Sequence, residues 1–165
     1  SAASDVYKRQ DADEWRSVMD VNTMGPAMLT RALLPSLTRG EGGDVVTISS
    51  MAGLRPNVMA GVVYSAAKAA VRAYMDVLYA EVRKEGVRCI TIFPGEVDTP
   101  ILDNRALPPD AETRSLMMMP EDISAATLMA VSLPRRATVT ELAIGATYPR
   151  DMSADVNAAM TKSSV

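Results

Sequence analysis

The chain has 165 residues, nearly half of them apolar, which is enough for one domain with a buried core and too little for two. Its 17 basic and 20 acidic residues are spread without a dense basic run, so no nucleic-acid partner is expected. Histidine is absent, which removes Ser-His-Asp and Cys-His nucleophile systems and argues against a zinc site. The lone Cys89 excludes a disulfide framework and reads as an inert thiol inside an apolar run. With neither a long apolar span nor the apolar centre of a signal peptide, the composition suits the cytoplasm and no membrane association is expected.

The first ten residues, SAASDVYKRQ, share no periodicity with the rest of the chain. They resemble the translated adapter seen at the head of truncated reading frames, and are set aside as a leader, an ordinary frayed terminus being the alternative. From Asp13 onward Trp15, Val18, Met19, Asn22, Leu29, Leu33 and Leu37 recur at helical steps, interrupted by Gly25 and Pro26, which predicts one long helix kinked near its middle. GEGG stops it, and Asp44 leads into VVTIS, a short strand of the buried kind.

A polar loop is expected over 51–61, then an alanine-rich helix over 64–85 with an apolar stripe of Val71, Met75, Leu78 and Val82, ended by a left-handed Gly86. VRCITIF comes next as a second buried strand, closed by Pro94 and Gly95. The region 96–119 reads as loop with room for a short helix. Pro120, Glu121 and Asp122 start a helix reaching about residue 133. Alternation over 138–144 gives a third strand, and 151–165 is a weakly specified tail. Strands and helices therefore alternate as α/β, a partial Rossmann-like, doubly wound parallel sheet of about three strands, with ligands expected beyond the strands' carboxyl ends.

Tyr64 and Lys68 lie one helical turn apart in YSAAK, and a nearby ammonium favours a phenolate, making Tyr64 a candidate acid/base. An amphipathic surface helix has the same spacing. Ser50 ends the first strand with a hydroxyl able to hold a substrate oxygen, Ser49 being the adjacent candidate. Asn22 sits on an apolar stripe, four residues before a proline that cannot donate to its carbonyl. That carbonyl is free to hold a water or a side chain, unless the site is a mere bend.

Taken together, VVTISS, YSAAK, PGEVDT and the Asn22 of DVNTMGP resemble, in order and spacing, the C-terminal portion of the short-chain dehydrogenase/reductase family. The stretch 11–150 is identified as that part of its Rossmann-like domain. The resemblance implies an enzyme moving hydride between NADP or NAD, with a lean to NADP, and a carbonyl or alcohol substrate. It implies that Ser50 holds the substrate oxygen and Tyr64 exchanges the proton. Lys68 would bind the ribose and lower the tyrosine pKa, while Asn22 would position a water through its backbone carbonyl. Pro94, Gly95, Val97 and Thr99, with Tyr64 and Lys68, would contact the cofactor, 101–119 would form a substrate lid, and helices 13–39 and 64–85 would pair subunits as a homodimer or homotetramer.

No G-x-x-x-G-x-G turn occurs in the 165 residues, so the pyrophosphate cradle has no candidate and the chain alone is expected to bind cofactor poorly. The rival expectation is a non-catalytic remnant whose helices serve only for dimerisation.

Overall fold

Asp11 opens the first helix by accepting the backbone N–H groups of Asp13 and Glu14 at 3.0 and 2.8 Å. In the computed structural model, which describes residues 10–148 and 150–161, helical structure then runs unbroken from α1 (Ala12–Met19) through a π-helical turn (Asp20–Met24) to α2 (Gly25–Leu37). Most of the proposed leader, and the end of the proposed tail, lie outside the described residues. The expected kink is this π turn. Pro26 has no N–H and its ring would crowd the Asn22 carbonyl, and the wider turn, in which Gly25 N–H reaches back to the Asp20 carbonyl, relieves that conflict. Asn22 Nδ2 donates to the Val18 carbonyl at 2.9 Å, so its amide is satisfied within the turn.

Strands β1 (Asp44–Ile48), β2 (Arg88–Pro94) and β3 (Glu141–Ile144) form a parallel sheet in that order, with Val46 opposite Ile90 and Ile92 opposite Leu142. Every residue of β2 is buried because helices cover both faces. Cys89 and Val45 face α4 (Val62–Val82), packing with Met75, Leu78 and Val82. Ile90 and Ile92 face the other way, onto Ala130 and Ile123 of α6 (Pro120–Val131). The Cys89 thiol is free, buried, and pushed by burial up to about 11, which suits its reading as inert. Gly86 ends the helix in the left-handed region at φ 77°, as expected. Gly42, at φ 91°, passes so close that a Cβ there would lie 2.1 Å from the Gly86 carbonyl oxygen.

Three expectations need correction. The stretch 51–61 is not all loop, because Ser50 accepts the Ala52 N–H at 3.2 Å and so starts one helical turn, α3 (Met51–Leu54). The third strand is shorter than 138–144, since the Ala137 carbonyl is held by Arg88 and Ala137 N–H closes a turn onto Pro134 before pairing begins. The tail contains a helix, α7 (Ser153–Thr161), started by Asp151, whose carboxylate accepts Ser153 N–H at 2.9 Å. Within 96–119 lie a 3-10 helix (Pro100–Asn104) and the short α5 (Ala111–Ser115). Among the described residues no helix is long and apolar enough to cross a membrane.

Arg88 ties the amino end of the sheet together. Only 4% exposed, it grips Asp44 through Nε and Nη2 at 2.7 and 2.9 Å. It also donates to the carbonyls of Val131, Leu133 and Ala137, so all its N–H donors are used. The carbonyl ends of α6 are thereby satisfied by a buried cation placed at the negative end of the helix dipole. Changing Arg88 to alanine leaves those carbonyls without their donor and Asp44 with Arg135 alone, and should cost about 3–5 kcal/mol in a urea unfolding measurement. The Arg88 hydrogen bonds hold the Asp44 carboxyl below its ordinary range, so its contribution is complete near neutrality and is lost as pH falls through the folded value. The melting temperature should drop on acidification below about pH 4, and drop less in R88A.

Candidate active site

The carboxyl end of β1 is fastened to the early turns of α4 by three contacts. Ser49, 4% exposed, donates its hydroxyl to the Lys68 carbonyl at 3.1 Å, and Lys68 Nζ donates to the Ile48 carbonyl at 3.1 Å. Gly53 lies so close beneath that a Cβ would be 2.8 Å from the Lys68 carbonyl oxygen. Ser49 is therefore spent on packing, and Ser50, the next residue along the chain, faces the cleft, as strand alternation allows.

Ser50 and Tyr64 meet directly through a side-chain hydrogen bond. Since Ser50 Oγ already accepts from Ala52 N–H, its own proton is available to the phenol oxygen. Burial pushes the Tyr64 pKa up and the Ser50 hydrogen bond pulls it down, with burial prevailing. Lys68 stands beside the phenol, as its place one turn along the helix requires. Its ammonium lies over the tyrosine ring, 5.5 Å from the centroid, and donates to the Ile48 carbonyl instead. Burial lowers the lysine's own pKa.

Asn22 reaches this centre only through its neighbour. Thr23 Oγ1 donates to the Ala67 carbonyl at 3.0 Å, which seats the π turn against α4 between Tyr64 and Lys68. Val18, Val63 and Ala67 fill the space beneath, with Trp15, Met19 and Tyr64 packed around them. The Asn22 amide turns back onto its own helix and does not line the cleft.

A cleft of about 560 Å³ opens beyond the strand ends, lined by Ser50 and Tyr64 on one wall and by Pro94, Gly95, Val97 and Thr99 on the other. Ile101, Leu102, Leu116 and Met117 of the expected lid also line it. Sequence reasoning missed an ionic cluster in the same wall. Glu96 accepts from Arg105 Nη1 at 2.6 Å and from Arg150 Nε and Nη2 at 2.7 and 2.8 Å, and Arg150 in turn grips Asp155. Burial pushes the Glu96 carboxyl up, but the two arginines more than offset it and hold it below the ordinary value. Nothing in the local pattern around Arg150 announces this; the one available signal was a charged residue inside PGEVDT. No cluster among the described residues is suited to a metal ion.

The helices, parallel sheet and strand-end cleft define a dinucleotide-type α/β domain, and comparison specifies it further. The sequence profile described as short chain dehydrogenase matches residues 2–109. An uncharacterised oxidoreductase of Staphylococcus aureus strain USA300 is 35% identical over 132 residues, which is 80% of this chain and 54% of that protein. One from Listeria monocytogenes is 33% identical over 145 residues, covering 82% of this chain and 57% of its own length. Among solved structures, serine dehydrogenase in a closed form complexed with NADP+ superposes with a TM-score of 0.74 at 28% identity, over 86% of this chain and 59% of that one. Serine dehydrogenase from Escherichia coli gives 0.71 at 27% identity, over 86% and 57%. The chain belongs to the short-chain dehydrogenase family. It spans about half the length of the curated relatives it matches.

Because burial raises and Ser50 lowers the Tyr64 pKa, S50A should move its titration further upward. Tyrosinate absorbance of each protein minus that of its Y64F counterpart isolates this one phenol. A downward or absent shift in S50A would show that the serine does not bear on it.

Proposed function

We propose that the chain carries the proton-handling half of an NAD(P)-dependent oxidoreductase acting on a carbonyl or alcohol. The contact between Ser50 and Tyr64 at the mouth of the parallel sheet carries this reading. A half-buried phenol with a raised pKa is fully protonated near neutrality, the form needed to give a proton to a carbonyl oxygen as it is reduced. Ser50, beside the phenol in the same cleft, would hold that oxygen. Lys68, fixed on the Tyr64 ring, and the loop residues Pro94, Gly95, Val97 and Thr99 would hold the ribose and nicotinamide end of the cofactor. The π turn brings the Asn22 region onto α4, consistent with a water held beside Lys68.

The fit to the cofactor is confined to that end. Gly95 and Gly145 both line the cleft, where a Cβ on Gly95 would meet the Gly145 Cα at an ordinary contact distance of 3.4 Å. No glycine-rich turn opening a helix occurs in the sequence to cradle the pyrophosphate. When bound, the nicotinamide supplies or accepts the hydride; the residues of this chain orient it and manage the proton. The lean to NADP is supported by serine dehydrogenase complexed with NADP+, while a 3-oxoacyl-[acyl-carrier protein] reductase from Brucella melitensis, 26% identical, has bound NAD. A cytoplasmic location accords with the free buried thiol.

Pairing of subunits through helices 13–39 and 64–85 is supported by Leu29, Leu33 and Val77, large apolar side chains left exposed on them. The same surface is all that a pure dimerisation module would need. Such a module has no use for a serine hydroxyl on a buried phenol, which favours the enzyme.

The 165-residue chain should quench or enhance NADPH fluorescence only weakly. A longer protein in which a glycine-rich cofactor-binding segment precedes these residues should bind NADPH and reduce a carbonyl compound, and Y64F in it should lower kcat about 100-fold or more. Turnover unchanged in Y64F would remove the acid/base role. Separately, L33E should shift the sedimentation of the chain from dimer or tetramer toward monomer; a wild-type chain already monomeric at micromolar concentration would refute the pairing.

A further inference from the structure

We infer that Arg105 selects the substrate by gripping a carboxylate, so that the reacting molecule is a hydroxy acid or oxo acid rather than a neutral alcohol or ketone. This rests on the proposed oxidoreductase reading for the reaction, though not for the binding. Arg105 shares the cleft with Ser50 and Tyr64, and its side chain is 18% exposed there. Its one hydrogen bond within the described residues runs from Nη1 to Glu96. Nε and Nη2 make none.

The same edge of the guanidinium does a consistent job elsewhere in the chain. Nε and Nη2 of Arg72 grip Glu141, those of Arg88 grip Asp44, and those of Arg150 grip Glu96. Arg150 is further engaged by Asp155 through Nη1 and Nη2. Arg105 alone among these cleft-wall and sheet arginines has its fork uncommitted, and an open guanidinium fork is matched best by a planar carboxylate. The surrounding charges permit an anion: Glu96 and Asp155 are balanced by Arg105 and Arg150, so an incoming carboxylate meets a neutral cluster. The nearby cleft wall of Ile101, Leu102, Leu116 and Met117 is apolar and would cover the short carbon chain between carboxylate and reacting carbon.

The test is direct binding to the 165-residue chain, followed by calorimetry or by amide chemical shifts, with 3-hydroxybutyrate and its methyl ester as probes. The acid should bind at least about tenfold more tightly than the ester. R105K keeps a cation for Glu96 but has no fork, and should erase that preference while leaving the melting temperature unchanged. Equal binding of acid and ester, an acid preference that survives in R105K, or no saturable binding of the acid would each overturn the assignment. Failure of the longer protein with its glycine-rich cofactor-binding segment to oxidise or reduce anything with NADP(H) would instead remove the redox reading and leave the binding result standing.

Discussion

The site depends on the stitch between the end of β1 and the second turn of α4. Ser49 reaches up to the Lys68 carbonyl, Lys68 reaches back to the Ile48 carbonyl, and the missing side chain of Gly53 lets the backbones close to contact. Each bond is ordinary, worth about 1 kcal/mol net. Their effect is geometric, because they set the height and rotation of α4 against the sheet and thereby put Tyr64 opposite Ser50. Val63 and Ala67, packed on Val18 beside Tyr64, seat the same end of α4, while Met75, Leu78 and Val82 hold its far half.

That stitch also fixes where the Lys68 ammonium lies. Along β1, Gly43 C=O and Ser49 N–H bond to β2, so by the alternation of a parallel ladder the backbone groups of Val46 and Ile48 face the other edge. Among the described residues no strand pairs with that edge, and the Ile48 carbonyl takes the ammonium. With its charge directed to the strand edge and its stem against the aromatic ring, Lys68 supports Tyr64 from the side. The phenol then answers to desolvation first and to Ser50 second.

Most of the fold was legible because its signals are local. The alternation of strand and helix, the left-handed Gly86 and the disturbance before Pro26 all arise from residues within a turn of the feature they cause. Ser50, Tyr64 and Lys68 were legible for a related reason: one lies at a strand end and the others on one helix face, and a parallel sheet brings those places together. What the sequence could not yield is long-range. Arg88 looked like one polar letter in an apolar run, and its worth depends on Asp44, Val131 and Ala137, all more than forty residues away. Arg150 and Glu96 are fifty-four residues apart, and no periodicity connects them. The π turn sits between these cases, since its location was readable from Pro26 while its docking through Thr23 onto Ala67 was not.

The cleft consequently divides its polarity by function. On the wall of Ser50 and Tyr64 the groups are neutral hydroxyls in partly desolvated surroundings, where a proton can be passed without first dismantling an ion pair. On the wall of Glu96, Arg105 and Arg150 the groups are full charges, but each is matched, so the field they cast on the phenol is small compared with what an isolated arginine would cast. Glu96 is the hinge of this arrangement. Two residues past Pro94 at the exit of β2, it draws in Arg105 from the 3-10 segment and Arg150 from the approach to α7, and its backbone carbonyl accepts the Met118 N–H at 3.2 Å. One residue, through its carboxylate and its backbone carbonyl, thus gathers three otherwise separate segments around the strand end, which is how a stretch with little regular structure comes to form a defined part of the cleft.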